Sequence, residues 1–133
     1  MRKINFIVVH CTATPAGQDM TVKELEQWHK SHGLGAMGYH FVIGRDGYLQ
    51  FGLPIDKIGK HVKGLNRCSI GVAYVGGRDV MGKPADTRTE AQKETMRRLI
   101  DYLKAEFPES RVVAHSDIGG KDCPCFDAAK EHN

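Results

Sequence analysis

The chain has 133 residues, of which 41% are hydrophobic and 26% charged, the proportions of an ordinary soluble globular protein. That length points to one domain spanning residues 1–133, and the composition excludes a collagen, a coiled coil, a disordered chain and a disulfide miniprotein. The net charge is only +3, with no dense Lys/Arg block, so no nucleic-acid partner is expected.

Ile4 to His10 reads as a buried first strand. Residues 12–17 read as a loop. Thr21 and Glu24 have capping-box spacing, and Val22, Leu25, Trp28, His29 and His32 recur at helical intervals, which predicts a helix over 22–32. Gly33 and Gly35 end it. Tyr39–Ile43 and Tyr48–Phe51 flank Arg45-Asp46-Gly47 and form a hairpin. Residues 52–67, rich in Gly, Lys and His, read as a long ordered loop, and Ser69–Val75 as a further strand. After Gly76-Gly77 another loop runs to about Thr87. Loops of such length usually serve a function.

Thr89 and Gln92 make a second capping box. Behind it Met96, Leu99, Ile100, Leu103 and Phe107 form an apolar stripe, with Arg97, Arg98, Asp101 and Lys104 on the other side, and Pro108 stops the helix. Arg111–Ala114 is a last strand, followed by a short helix from Phe126 onward. Strands and helices mix without strict alternation. The expected fold is mixed α/β: a single central mixed β-sheet flanked by helices.

No apolar run is long enough to cross a membrane, and the N-terminal one is too short and interrupted for a signal peptide. Synthesis in a cytoplasm is expected, and the four cysteines (11, 68, 123 and 125) do not demand disulfides.

Seven histidines and four cysteines raise the question of a metal. His10 directly follows the first strand, and His115 directly follows the last. Adjacent strand ends would bring both to one edge of the sheet. Cys123 comes eight residues after His115, on a loop with Gly119, Gly120 and Pro124 that can curl back. Imidazole and thiolate suit Zn²⁺, and three protein ligands leave a fourth position open, as catalytic zinc sites do. Spacing by itself leaves His29, His32, His40 and His61 as competing ligands, and a lone Cys is commonly a small buried apolar residue.

Several ordered blocks resemble the zinc-dependent N-acetylmuramoyl-L-alanine amidases, the family shared by T7-type phage lysozymes and peptidoglycan recognition proteins. These are Ile7-Val8-Val9-His10-Cys11-Thr12-Ala13-Thr14, then Gly38-Tyr39-His40-Phe41-Val42-Ile43 with Arg45-Asp46-Gly47. His61, Gly64, Asn66 and Ser69-Ile70-Gly71-Val72 follow, leading to Val75-Gly76-Gly77. Ala114-His115, Lys121-Asp122-Cys123-Pro124 and Phe126-Asp127 come last. They run in the family's order across about residues 5–127.

The resemblance implies that His10, His115 and Cys123 bind Zn²⁺, with catalytic support from Tyr39 and Lys121. It implies hydrolysis of the amide between N-acetylmuramic acid and L-alanine in peptidoglycan. It also places His61 and Asn66 in the substrate groove, with loops 12–20 and 76–88 as candidate walls. Many bacterial relatives carry Asp as third ligand. Cys123 instead matches the phage-type and catalytic recognition-protein pattern, and relatives that only bind peptidoglycan typically lose it. A phenol is a poor base at neutral pH, so the general base is left unassigned. Cys125 has no counterpart in the resemblance.

The expected partner is peptidoglycan or a muropeptide, met by a monomer on the cell wall after release or in the cytoplasm. Three other functions compete. A non-catalytic peptidoglycan-binding module would bind without cleaving. A thiol peptidase using Cys123 or Cys11 would be indifferent to chelators. A structural zinc site in a nucleic-acid binder lacks a CxxC pair.

Overall fold

The computed structural model describes residues 2–31, 33, 37–119 and 122–133. In chain order the elements are β1 (Phe6–Cys11), β2 (Thr14–Pro15), α1 (Val22–Ser31), β3 (Phe41–Ile43), β4 (Leu49–Phe51) and β5 (Ser69–Tyr74). Then come β6 (Gly77–Arg78), α2 (Glu90–Glu106), β7 (Arg111–Ala114) and α3 (Ala128–His132). Five strands make one mixed sheet in the order β4-β3-β5-β1-β7. β1 pairs in parallel with β5 and β7, and β3 in parallel with β5, while β4 returns antiparallel to β3 as the expected hairpin.

β1 lies between two partners and is buried on both faces, so it reads as a continuous apolar run rather than an alternating one. Its alternation still sorts the side chains. Ile7, Val9 and Cys11 join Ile70, Val72, Tyr74, Phe41 and Ile43 in one core, closed by Met96, Leu99, Ile100 and Leu103 of α2. The second core contains Val42, Val75 and Met37 with Leu25 of α1. Successive strand residues point to opposite faces, so His10 lies on the side away from α2.

Both capping boxes form. Thr21 Oγ1 accepts from Glu24 N at 3.1 Å and Glu24 Oε1 accepts from Thr21 N at 2.9 Å. Thr89 and Gln92 make the reciprocal pair at the start of α2. Gln92 is fully buried and also ties the sheet to α2, its Nε2 donating to Ile43 O and Val75 O.

The two expected loops at 12–20 and 76–88 are not wholly irregular. Thr14–Pro15 pairs in parallel with Gly77–Arg78 as a second, two-stranded sheet. This ribbon continues past the end of β1, beside the sheet edge where His10 and His115 emerge. The predicted helix 22–32 ends at Ser31 among described residues; His32 and Gly35 lie outside them.

Candidate metal centre

His10 lies inside β1, next to its last residue, rather than after the strand, because its backbone still pairs with β5. His115 directly follows β7 as expected, and register brings the two together. Val9 is level with Ala114 across the parallel β1–β7 pair, so the next residues, His10 and His115, stand side by side. Their rings are 4.6 Å apart between centroids. Cys123 arrives from a loop held at both ends of the site: Ser116 N donates to Cys123 O at 2.7 Å, and the Tyr74 hydroxyl of β5 donates to Pro124 O at 2.6 Å. One donor atom each from His10, His115 and Cys123 then lies within 4.8 Å of the others. Among the described residues no other group of His, Cys, Asp or Glu meets that condition. His29, His40 and His61 therefore do not join the cluster, and His32 lies outside the described residues.

Electrostatics favour ligand-ready forms. Burial holds His10 well below the ordinary imidazole range, reinforced by neighbouring His61 and His115. Burial alone lowers His115. Both rings stay neutral, as metal binding requires. A hydrogen bond from the Cys11 thiol holds the Cys123 thiol below its usual value, against burial, and Cys11 N adds a second donor 3.0 Å from Cys123 Sγ.

Behind His10 stands a partner that sequence reading had placed in a groove. His61 Nδ1 is 2.9 Å from His10 Nε2, and His61 Nε2 is 3.2 Å from Ser69 Oγ. Burial, then the charges of His40, His115 and Arg2, push His61 down to about 3, so it is a neutral ring. A neutral imidazole donates from one nitrogen and accepts at the other. His61 thus bridges His10 Nε2 and Ser69 Oγ, donating from one ring nitrogen and accepting at the other. Gly71 of β5 makes room for it: a β-carbon there would sit 2.7 Å from His61 Cγ. The sequence places Ser69 and Gly71 in a block that matches the family but assigns them no role. A glycine inside a strand, the usual mark of close approach, was the available signal.

Asn66 supports the same loop, its Oδ1 accepting from His61 N at 3.0 Å and from Val62 N at 2.9 Å. His61 and Asn66 both line the cleft, but these polar atoms are already engaged within the protein. Tyr39 is half-buried beside His10, with ring centroids 5.1 Å apart. Burial pushes its phenol up, and the nearby sulfurs of Cys123 and Cys11 add to the shift. It is therefore a hydrogen-bond donor at neutral pH. Lys121 lies outside the described residues.

The cluster opens onto a cleft of about 650 Å³ whose lining includes Trp28 and His29 of α1 together with Lys60, His61 and Lys63. Three donors of imidazole and thiolate type, with an open side facing a cleft, fit zinc in its hydrolytic rather than its closed structural arrangement. Fold and site together define the class as a mixed α/β hydrolase with a candidate metal centre at the ends of its strands.

Comparison with known proteins makes this specific. The family described as N-acetylmuramoyl-L-alanine amidase matches residues 1–126. The endolysin of Klebsiella phage KP32 is 46% identical over 121 residues, covering 91% of this chain and 80% of that protein. The endolysin of Escherichia phage T7 is 43% identical over 121 residues, with the same coverage. Among solved structures, the N-acetylmuramoyl-L-alanine amidase LysC from Clostridium intestinale superposes with a TM-score of 0.80 at 27% identity, covering 98% of this chain and 82% of that one. The chain belongs to the N-acetylmuramoyl-L-alanine amidase family, and its reaction is hydrolysis of the amide joining N-acetylmuramic acid to L-alanine in peptidoglycan.

Proposed function

We propose that the chain carries out this hydrolysis as a zinc enzyme, with His10, His115 and Cys123 holding the ion. The observation that carries the reading is the convergence of these three donors within 4.8 Å at the floor of an open cleft. When bound, zinc supplies Lewis acidity, which polarises the amide carbonyl and makes water nucleophilic near neutral pH. With His10 Nε2 engaged by His61, Nδ1 is the His10 nitrogen left for the ion.

The protein's own groups do the rest. His61, backed by Ser69, fixes the tautomer and orientation of His10, the service outer partners give metal-ligating histidines. Tyr39, protonated and beside His10, donates a hydrogen bond to the carbonyl oxygen as negative charge builds there. Lys121, two positions before Cys123, brings an ammonium to the same oxygen, a role assigned from the family resemblance. Lys60 and Lys63 on the cleft rim favour approach to an anionic wall polymer. The chain works as a single catalytic unit and a monomer, and it meets the cell wall after release from the cell that made it.

The test is mass spectrometry of muropeptides digested with and without chelator. Cleavage at the lactyl amide, lost on chelation and restored by Zn²⁺, is expected. Cys123→Ala should lose both the metal and the activity. Full activity from a metal-free preparation overturns the zinc reading, and binding without cleavage overturns the catalytic one.

A further inference from the structure

The proposed zinc set uses one cysteine, yet three crowd the same end of β1. The Cys11 sulfur is packed against the Cα of Gly77, where a β-carbon would have no room. Cys11, Cys123 and Cys125 all line the same small cavity beside Gly77. Cys123 Sγ is 3.0 Å from Cys11 N and 3.8 Å from Cys11 O, so its sulfur rests directly on the backbone that bears the Cys11 side chain. Cys125 Sγ lies 3.5 Å from Gly77 O. All of these cysteines are free thiols.

Solvent reaches the group from two sides. One opening is the catalytic cleft. The other is a separate cavity of about 160 Å³, whose walls include Cys11, Cys123, Cys125 and Asp122. Cys11 and Cys123 border both spaces. A cavity of that size admits a molecule as small as hydrogen peroxide but not a peptidoglycan strand.

We propose that Cys11 and Cys123 form a thiol-oxidation site that competes with the metal: a small peroxide joins them in a disulfide and releases the ion. Cys123 is half-buried where Cys11 is buried, so it is the more accessible sulfur and attacks first. Its thiolate attacks a peroxide oxygen; the S–O bond forms, the O–O bond breaks, and a sulfenic acid and hydroxide result. The hydroxide takes the Cys11 thiol proton and becomes water. The Cys11 sulfur then attacks the sulfenic sulfur, the S–S bond forms, and the S–O bond breaks as a second hydroxide leaves. Counting the proton that Cys123 gave up to become a thiolate, two thiols and one peroxide yield one disulfide and two waters. The sulfurs together lose two electrons and the peroxide gains them.

A disulfide sulfur carries no thiolate charge, so the two histidines that remain hold zinc far more weakly. Cys11 has a protective effect as well. By trapping the sulfenic acid it keeps Cys123 from passing to the irreversible sulfinic state, and a reductant can restore the site.

The proposal rests on the reading of Cys123 as a zinc ligand, and the test separates the two. Zinc-loaded full-length protein is titrated with hydrogen peroxide. Zinc release is followed with a metallochromic dye, and disulfides are mapped by mass spectrometry of non-reduced peptides. One zinc is expected to leave for each Cys11–Cys123 disulfide, and dithiothreitol with added zinc should restore the loaded form. Cys125→Ser should behave as the parent does. Cys11→Ser should lose recovery by dithiothreitol about tenfold or more, with Cys123 found as sulfinic acid. A Cys11–Cys125 disulfide with zinc retained overturns the proposal, as does zinc release that leaves Cys11 unmodified and is unchanged in Cys11→Ser. A preparation that holds no zinc before oxidation overturns instead the assignment of Cys123 as ligand.

Discussion

His61→Phe isolates the outer partner of the proposed metal centre. Phenylalanine keeps an aromatic ring over Gly71 but removes both nitrogens, and so the 2.9 Å bond to His10 and the 3.2 Å bond to Ser69. His10 is only 1% exposed, so water does not replace the partner that its Nε2 loses. Leaving one buried donor or acceptor unpaired costs about 1–3 kcal/mol, roughly five- to 150-fold in an equilibrium constant. That interval brackets the loss of about 10–100-fold typical when the outer partner of a metal ligand is removed. Zinc affinity measured by competition with a chromophoric chelator near neutral pH should fall by this factor, while kcat at saturating zinc changes much less. His61→Gln, which keeps a donor and an acceptor, should recover part of the affinity. A zinc Kd within about threefold of the parent's, equivalent to about 0.6 kcal/mol, would refute the positioning role of His61.

Tyr39→Phe should retain zinc but lower kcat by about 10²–10³, the cost of losing one hydrogen-bond donor to the developing oxyanion; steady-state cleavage of a muropeptide checks this, and unchanged kcat removes Tyr39 from the chemistry. Gly71→Ala pushes a β-carbon into the His61 ring at 2.7 Å and should cost about 1–3 kcal/mol of stability together with zinc affinity, measured by denaturant unfolding and chelator competition. The metal-free protein should lose stability as pH falls below about 6.5, the ordinary imidazole value. His10, His40 and His61 are held below that value mainly by burial, so between it and their folded values the unfolded chain binds protons that the folded chain does not. Their contribution is complete above the unfolded value and declines on acidification by up to about 1.4 kcal/mol per pH unit for each histidine. A melting temperature that stays flat between about pH 7 and pH 5 would contradict this.

The parts of this protein written into short stretches of sequence are those whose causes act over a few residues. The apolar run of β1, the Thr21–Glu24 and Thr89–Gln92 capping boxes, the stripe on α2 and the hairpin around Arg45-Asp46-Gly47 all appear where local pattern places them. Hydrogen bonds three or four residues apart and side-chain periodicity produce these features, so the sequence states them directly. The candidate ligands were legible only as residues at strand ends, because neither His10 nor His115 shows by itself that its strand neighbours the other. The family resemblance singled them out; the β1–β7 register makes them adjacent. The Thr14–Pro15 and Gly77–Arg78 ribbon left no local trace, since two residues are too few to display an alternation.

Tertiary structure alone decided the surroundings of the site. His61 lies 51 residues from His10, and nothing in its own segment distinguishes a groove residue from the partner of a metal ligand. That role follows from Ser69 and Gly71 lying on the same sheet face, one supplying an oxygen and the other the space for the ring. Likewise Cys11, Cys123 and Cys125 are unremarkable at positions 112 and two residues apart, and become one cluster only when the final loop is tied back by Ser116 and Tyr74. Amino-acid order determined the elements and the inventory of donors. Which donors meet depended on strand register and loop closure, and these are set by packing the whole sheet at once.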